Sequence, residues 1–224
     1  GTTWTCFAGG VGIVCRDVIE YNGDLIACGD FWNVNQPCVG CNGVARWDGT
    51  AWQPLGTGFN NDVLCLTIWN GQLVAGGDFT TADGNPSDRV AVWNGTNWYS
   101  LGGFTTSFSN DVRCMAMYNG ELWVGGDFNN VNGCTACDGV VKWNGTAWVG
   151  GNSGVDIPGG VDSTVRVLYV NAAENKLYMA GHFGNLGGNT ACSRIGVYDG
   201  SVWAPLMTGV NDYIRAVTFY NGNI

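Results

Sequence analysis

The feature that most constrains this chain is an internal repeat with a period of about 48 residues. A first string, aromatic-Asp/Asn-Gly-Thr/Ser-x-Trp, has successive copies 46, 50 and 55 residues apart, starting at Trp47, Trp93, Trp143 and Tyr198. A second string has the seven-residue pattern Leu-x-x-x-Gly-x-Phe, and its four copies end at Phe31, Phe79, Phe128 and Phe183. Two anchors that share one period predict structural units that are stacked or arranged radially.

Each unit is predicted to fold as four short antiparallel strands. In the second unit, residues 62–79 have the pattern of a hairpin around Asn70-Gly71, and residues 89–101 have that of a second hairpin. The apolar residues are mostly β-branched or aromatic, and 37 glycines disfavour helices. Four strands per period is typical of one blade of a β-propeller, so we predict an all-β chain of antiparallel four-stranded blades.

The repeats divide a single domain, residues 1–224, into four nearly complete blades and a partial fifth. The predicted boundaries are 8–56, 57–102, 103–150, 151–206, and 207–224 together with 1–7. The fourth strand of the partial blade lies at the N-terminus of the chain, within residues 1–7, and its first strand lies at 213–220. Because unpaired strand edges are rarely left bare, we expect a longer natural chain, continuing past Ile224, or a partner strand that closes the ring.

The repeat resembles the kelch class of propeller blades. The shared features are a hairpin that ends in Gly-Gly, an apolar strand that closes on an aromatic residue, and a tryptophan in the fourth strand. It is more similar still to the short blades of secreted bacterial proteins and fungal cortical polarity-marker proteins, with their NG-x-L-x-x-GG-x-F core and W-N-G-x-x-W closing string. The resemblance covers essentially the whole chain. It implies a propeller fold and leaves the function open, because propellers host many unrelated functions.

Charge and composition exclude two classes of partner. Nine Lys and Arg stand against 18 Asp and Glu, a net charge of −9 that repels nucleic acid and anionic lipid headgroups. The sequence has no apolar run of the roughly 18 residues needed for a membrane-spanning helix, so we predict no membrane insertion. Ten cysteines in a chain with few lysines predict a secreted or cell-surface protein.

The cysteine spacings predict three local disulfides. The pairs are Cys38 with Cys41, Cys134 with Cys137, and Cys6 with Cys15. The alternative for the two Cys-x-x-Cys motifs is a shared zinc site, which is less favoured because a second blade would separate the first and third blades. The remaining cysteines have no partner that the sequence identifies; they are Cys28, Cys65, Cys114 and Cys192.

Five aspartates are predicted to lie at the same end of the blades, because they begin first strands or end second strands. They are Asp30, Asp62, Asp78, Asp111 and Asp127. His182 occupies the equivalent position in the fourth unit, and Trp32 follows Asp30 in a loop where its indole could stack on a sugar. An acidic rim of this kind would bind a polar ligand or, weakly, Ca²⁺. The alternative is that these side chains only cap their own turns.

These observations favour a non-catalytic extracellular propeller module, a binding, adhesion or scaffold surface within a larger secreted or cell-surface protein. The expected partner is a protein or glycan on one face, and no cofactor is expected apart from the possible Ca²⁺. The sequence contains a single histidine, His182, which leaves little basis for a Ser-His-Asp triad. The alternatives are a carbohydrate-binding lectin and, less favoured, a carboxylate-dependent hydrolase or lyase.

Overall fold

The regular structure of this chain consists of β-strands. The computed structural model describes residues 14–31, 38–102, 108–129, 131, 137–150, 164–186, 191–206 and 210–219. Within these ranges every regular element is a strand, which confirms the predicted all-β class. The same residues include no helix of the length and hydropathy that crossing a membrane requires.

The chain divides into two compact units, Gly1–Phe104 and Thr105–Ile224. The first unit contains two four-stranded antiparallel sheets. The strands of the first sheet, in spatial order, are β1 (Val14–Tyr21), β2 (Asp24–Asp30), β3 (Val44–Trp47) and β4 (Trp52–Pro54). The second sheet pairs β5 (Val63–Trp69) with β6 (Gln72–Gly77), β6 with β9 (Val90–Trp93), and β9 with β10 (Trp98–Ser100). The loop before β9 carries a small hairpin, β7 (Thr81–Ala82) and β8 (Asn85–Pro86).

The second unit also contains two four-stranded antiparallel sheets. The strands of its first sheet are β11 (Val112–Tyr118), β12 (Glu121–Gly126), β13 (Val140–Trp143) and β14 (Trp148–Gly150). Those of its second sheet are β15 (Thr164–Asn171), β16 (Lys176–His182), β17 (Ile195–Tyr198) and β18 (Trp203–Pro205). Each of the four sheets therefore corresponds to one repeat of the sequence.

The predicted first strand of a fifth blade is not formed in the described part of the C-terminal segment. Residues 213–219 have no strand assignment, and residue 220 lies outside the described residues. The segment nevertheless packs on the last sheet, because the Phe219 ring stacks on Tyr169 with centroids 5.2 Å apart and lies 4.8 Å from the Tyr178 ring. Its predicted hairpin partner, residues 221–224, also lies outside the described residues.

Local sequence signals explain most of the tight turns within the sheets. At the first hairpins, Asn70 and Gly71 have φ of 49° and 76°, the two left-handed residues that a type I′ turn requires. At the second, a short side chain caps the turn: Asp48 Oδ1 accepts hydrogen bonds from the backbone N–H of Thr50 and Ala51, both 2.9 Å long. Asn94, Asn144 and Asp199 act in the same way in the other repeats.

A β-bulge near the start of each first strand explains why the second glycine of the doublet never varies between repeats. The bulged residue is the extra one in its strand, and in chain order these residues are Arg16, Leu64, Arg113 and Arg166. A Cβ built on Gly77 would overlap the carbonyl oxygen of Asp62, and the same overlap recurs at Gly29, Gly126 and Gly181. The first position of the doublet accepts other residues, since it holds Cys28 and Ala180.

Repeated aromatic residues form much of the core. The phenylalanines that end the second anchor string are at most 1% exposed; they are Phe31, Phe79, Phe128 and Phe183. The two aromatic residues of each closing string contact each other, with ring centroids 5.0–5.4 Å apart in the four repeats. One of them is also hydrogen bonded, since Trp98 Nε1 donates to the Leu55 carbonyl at 2.9 Å. The recurrence of tryptophan is therefore explained by packing.

The disulfide predictions have different outcomes. The Cys38–Cys41 disulfide is confirmed. Cys137 is disulfide-bonded, and its predicted partner, Cys134, lies outside the described residues. The Cys6–Cys15 pairing is wrong: Cys15 is a free thiol, and its Sγ points along its own strand to the Asp17 carbonyl at 3.6 Å.

The cysteines for which the sequence identified no partner are buried free thiols: Cys28, Cys65, Cys114 and Cys192. Burial raises the pKa of the Cys114 and Cys192 thiols. The pKa of Cys28 is raised most by its burial and further by the negative charge of Asp17. All three thiols are therefore held in the protonated, unreactive form at neutral pH.

Candidate functional site

Within a sheet, the predicted acidic positions occur in pairs at the start of the first strand and the end of the second. Asp62 precedes β5 and Asp78 follows β6, and the Asp78 backbone N–H donates to the Asp62 carbonyl at 2.9 Å. Asp111 and Asp127 bear the same relation to β11 and β12, with a backbone bond of 3.2 Å. In the last sheet the pair is Thr164 and His182, which are partners in the register.

In the first unit, the described acidic side chains are engaged within the protein. Asp78 Oδ2 accepts a hydrogen bond of 2.7 Å from Asn61 Nδ2, and Asp78 Oδ1 lies 3.6 Å from the Arg89 guanidinium. Asp30 ends β2 opposite Val14 and is half-buried. Trp32, the proposed sugar-stacking residue, lies outside the described residues. Asp78 is therefore engaged by two other side chains, and these contacts are not the turn caps of the alternative interpretation.

In the second unit, the two rim aspartates share one arginine. Arg113 Nη2 lies 3.0 Å from Asp111 Oδ2 and 2.9 Å from Asp127 Oδ2, and Arg113 Nε donates to the same Asp127 oxygen at 3.1 Å. A guanidinium therefore occupies the position between the carboxylates that a bound cation would take. Among the described residues, no group of three or more His, Cys, Asp or Glu side chains is arranged to hold a metal ion.

Next to this bridge, the second unit has an open polar pocket of about 380 Å³. Its lining residues are Arg113, Asp127, Thr164, Arg166, His182, Tyr213 and Arg215. Three of the seven are arginines, whereas one is acidic. The pocket thus contains two residues of the predicted rim, Asp127 and His182, but its electrostatic character is cationic instead of acidic.

The ring of Tyr213 forms one wall of this pocket. The His182 and Tyr213 rings meet edge to face with centroids 4.1 Å apart, and Tyr213 is 53% exposed. The backbone N–H of the next residue, Ile214, donates to the Gly181 carbonyl at 3.4 Å and fixes this segment to the end of β16. A partly exposed aromatic face thus lies beside several polar side chains.

A second pocket, of about 360 Å³, lies in the first unit and includes Tyr21, Asp24, Arg46 and Trp93 in its lining. Its two charged residues neutralise each other, because Arg46 Nη1 lies 2.8 Å from Asp24 Oδ2. It therefore offers no uncompensated charge to a ligand.

The analysis of the sequence missed the arginines of the cationic pocket. Arg113 and Arg166 are the bulged residues of β11 and β15, and Arg215 occupies the matching position of the next repeat, after an apolar residue at the start of the segment. Alignment of the repeats alone would have revealed this column, which also contains Arg16 and, as its exception, Leu64.

No protein-family model matches this chain, and a comparison with curated proteins finds no significant match.

Proposed function

We propose that this chain is a non-catalytic extracellular β-propeller module that presents a ligand-binding surface within a larger secreted or cell-surface protein. The observation that carries the binding role is the polar pocket of the second unit, which collects side chains from three successive repeats at one end of their strands. Loops and strand ends on a rigid scaffold are the usual place for binding residues. That pocket supports the role of a binding surface for a glycan or a protein.

The propeller arrangement is supported by the way sheets meet inside each unit. In the second unit, the Cys114 Sγ approaches the Val165 carbonyl at 3.7 Å, and the Tyr118 hydroxyl donates to the Asn175 carbonyl at 3.0 Å. In the first unit, the Leu66 N–H donates to Asp17 Oδ2 at 2.8 Å. First strands of consecutive repeats therefore pack on each other, as they do in the blades of a propeller.

The extracellular location is supported by the Cys38–Cys41 disulfide, because disulfides persist in oxidising compartments. The free thiols do not argue against this location. Among the described residues, four of the five free thiols are buried, which protects them from oxidation and exchange.

Carbohydrate binding is the second candidate, and the pocket beside Tyr213 favours it. Aromatic faces and hydroxyl-bearing or ionised side chains are what a pyranose ring requires, and both occur in this lining. The lining residues are not repeated in every unit, since the bulged position holds Leu64 in the second one. We therefore expect a single sugar site in the second unit instead of one site in every blade.

The test is binding of the purified chain to an array that carries neutral glycans, acidic glycans and extracellular matrix proteins, followed by mass spectrometry of every retained glycan. We expect retention on at least one class of ligand and no change in the mass of the retained glycans. Retention on none of the surfaces would refute the binding role. Release of shorter or unsaturated products would refute the non-catalytic assignment and favour a hydrolase or lyase.

A further inference from the structure

We propose that the pocket of the second unit binds the carboxylate of an acidic sugar, a single hexuronate residue of a glycan. This inference rests on the proposed binding function and specifies its ligand. The structural observation behind it is a set of three arginines that converge on one pocket together with Thr164, His182 and Tyr213.

The first step is the charge balance of the pocket. Arg113 is paired with both Asp111 and Asp127. By contrast, Arg166 and Arg215 have no ion pair or hydrogen bond with the residues that the structure describes, although both line the pocket. In a chain with a net charge of −9, two uncompensated guanidinium groups on one small cavity are best explained by an anionic ligand.

The second step is the way the arginines are held. A β-bulge leaves its extra residue outside the regular pairing and re-aims that side chain. Arg113 and Arg166 are the bulged residues of β11 and β15, and the strands on either side of each bulge remain paired in register. The backbone of both arginines is thereby fixed on paired strands, so a ligand has to order only their side chains when it binds.

The third step is the charge of the ligand. The three arginines of the lining, taken with Asp127 and the neighbouring Asp111, leave one positive charge in excess when His182 is neutral. One carboxylate matches that excess, whereas a dianion such as phosphate would leave the pocket with a net negative charge. The planar fork of a guanidinium also matches the two oxygens of a carboxylate.

The fourth step is the sugar. A volume of about 380 Å³ is near the lower end of the usual range for ligand pockets, about 300–1,000 Å³, and suits a single monosaccharide unit. The Thr164 hydroxyl, the His182 imidazole and the Asp127 carboxylate offer hydrogen-bonding groups for ring hydroxyls. The exposed Tyr213 ring offers an apolar face for the C–H groups of a pyranose.

The test is isothermal titration calorimetry of the whole chain with the methyl glycosides of glucuronic, galacturonic and mannuronic acid. The comparison ligand is methyl glucoside, which has a hydroxymethyl group where the glucuronide has its carboxylate, and inorganic phosphate is a further arm. We expect at least one uronide to bind more than tenfold more tightly than the glucoside and more tightly than phosphate. Equal affinity for uronides and glucoside, or tighter binding of phosphate, would overturn the proposal.

Variants assign the binding to the pocket. Arg166→Gln and Arg215→Gln should each weaken the best uronide about tenfold or more, and Arg215→Lys should restore only part of the loss, because an ammonium lacks the planar fork. Arg16→Gln is the matched control, since Arg16 is the bulged residue of β1 in the first unit and does not line the pocket. Far-ultraviolet circular dichroism and thermal unfolding show whether each variant is folded.

Unchanged affinity in folded Arg166→Gln and Arg215→Gln variants would refute the site. The array result separates this inference from the binding function on which it rests. Retention of neutral glycans or proteins without a response to any of the three uronides would refute the acidic-sugar inference alone. A short peptide that competes with the uronide through its C-terminal carboxylate and binds more tightly would also refute it, because the ligand would then be a protein terminus.

Discussion

Replacing Gly77 by alanine should destabilise the first unit more than replacing a glycine at an exposed turn by alanine. Gly77 is fully buried at the end of β6, and the new Cβ would overlap the carbonyl oxygen of Asp62. The overlapped atom belongs to the backbone of Asp62, so a side-chain rotation cannot relieve the clash. The strand start must move instead.

The magnitude follows from what that movement breaks. The Asp62 carbonyl accepts the 2.9 Å bond from the Asp78 N–H, and its loss costs about 1 kcal/mol. Displacing a packed strand to fit one extra carbon costs about 1–3 kcal/mol more. We therefore expect the free energy of unfolding to fall by about 3 kcal/mol in Gly77→Ala.

The assay is urea unfolding followed by tryptophan fluorescence, and the matched control is Gly71→Ala. Gly71 has a positive φ of 76°, but a Cβ there would meet no atom within 4 Å. The control therefore loses only the left-handed preference of glycine, about 1 kcal/mol. If Gly77→Ala lost no more stability than Gly71→Ala, the steric explanation of the invariant glycine would be refuted.

Two further predictions concern the tryptophan pairs and the capped turns. Trp98→Phe should cost about 1–2 kcal/mol beyond Trp148→Phe in thermal unfolding, because Trp98 Nε1 bonds the Leu55 carbonyl whereas Trp148 Nε1 has no hydrogen-bond partner among the described residues. Hydrogen bonds from the Val202 and Ser201 N–H groups lower the pKa of Asp199 from its ordinary 3.8 to about 2. A lowered pKa stabilises the fold fully above pH 3.8, and the gain is lost as the pH falls through about 2. Asp199→Asn should therefore lower the melting temperature slightly at pH 7, because the amide keeps the turn's hydrogen bonds without the charge, and should reduce the pH dependence of the melting temperature in that window. An unchanged pH dependence would contradict the cap.

The strands and turns were predictable because their signals are local. Asn70-Gly71 permits few backbone conformations, and the alternation on either side of it fixes the hairpin. The Cys38–Cys41 disulfide was predictable for the same reason, since the two cysteines are only three positions apart in the sequence. The Cys6–Cys15 prediction failed because a short loop lowers the entropy cost of forming a disulfide but does not determine the direction of the Cys15 side chain. Cys15 lies in β1 and contacts the Asp17 carbonyl.

The character of the candidate site was not predictable from the aspartates alone. Asp111 and Asp127 were expected to form an acidic rim, but both are paired with Arg113, which offsets one of their two negative charges. The direction of that arginine depends on the bulge between Val112 and Cys114, and strict alternation along a strand cannot reveal a bulge. Together with Arg166 and Arg215, this arginine reverses the sign of the charge that this part of the rim presents.

The bulge also allows the side chain that contacts a ligand to change from repeat to repeat while the fold of the repeat stays the same. The bulged residue makes no regular pair across the sheet, so its side chain can change without altering the hairpin that carries it, as the presence of Leu64 beside the arginines of other repeats illustrates. A chain that grows by duplicating such units acquires one freely variable side chain with each copy. New ligand preferences can then arise by single substitutions at that column, while the glycine opposite keeps every copy folded in the same way.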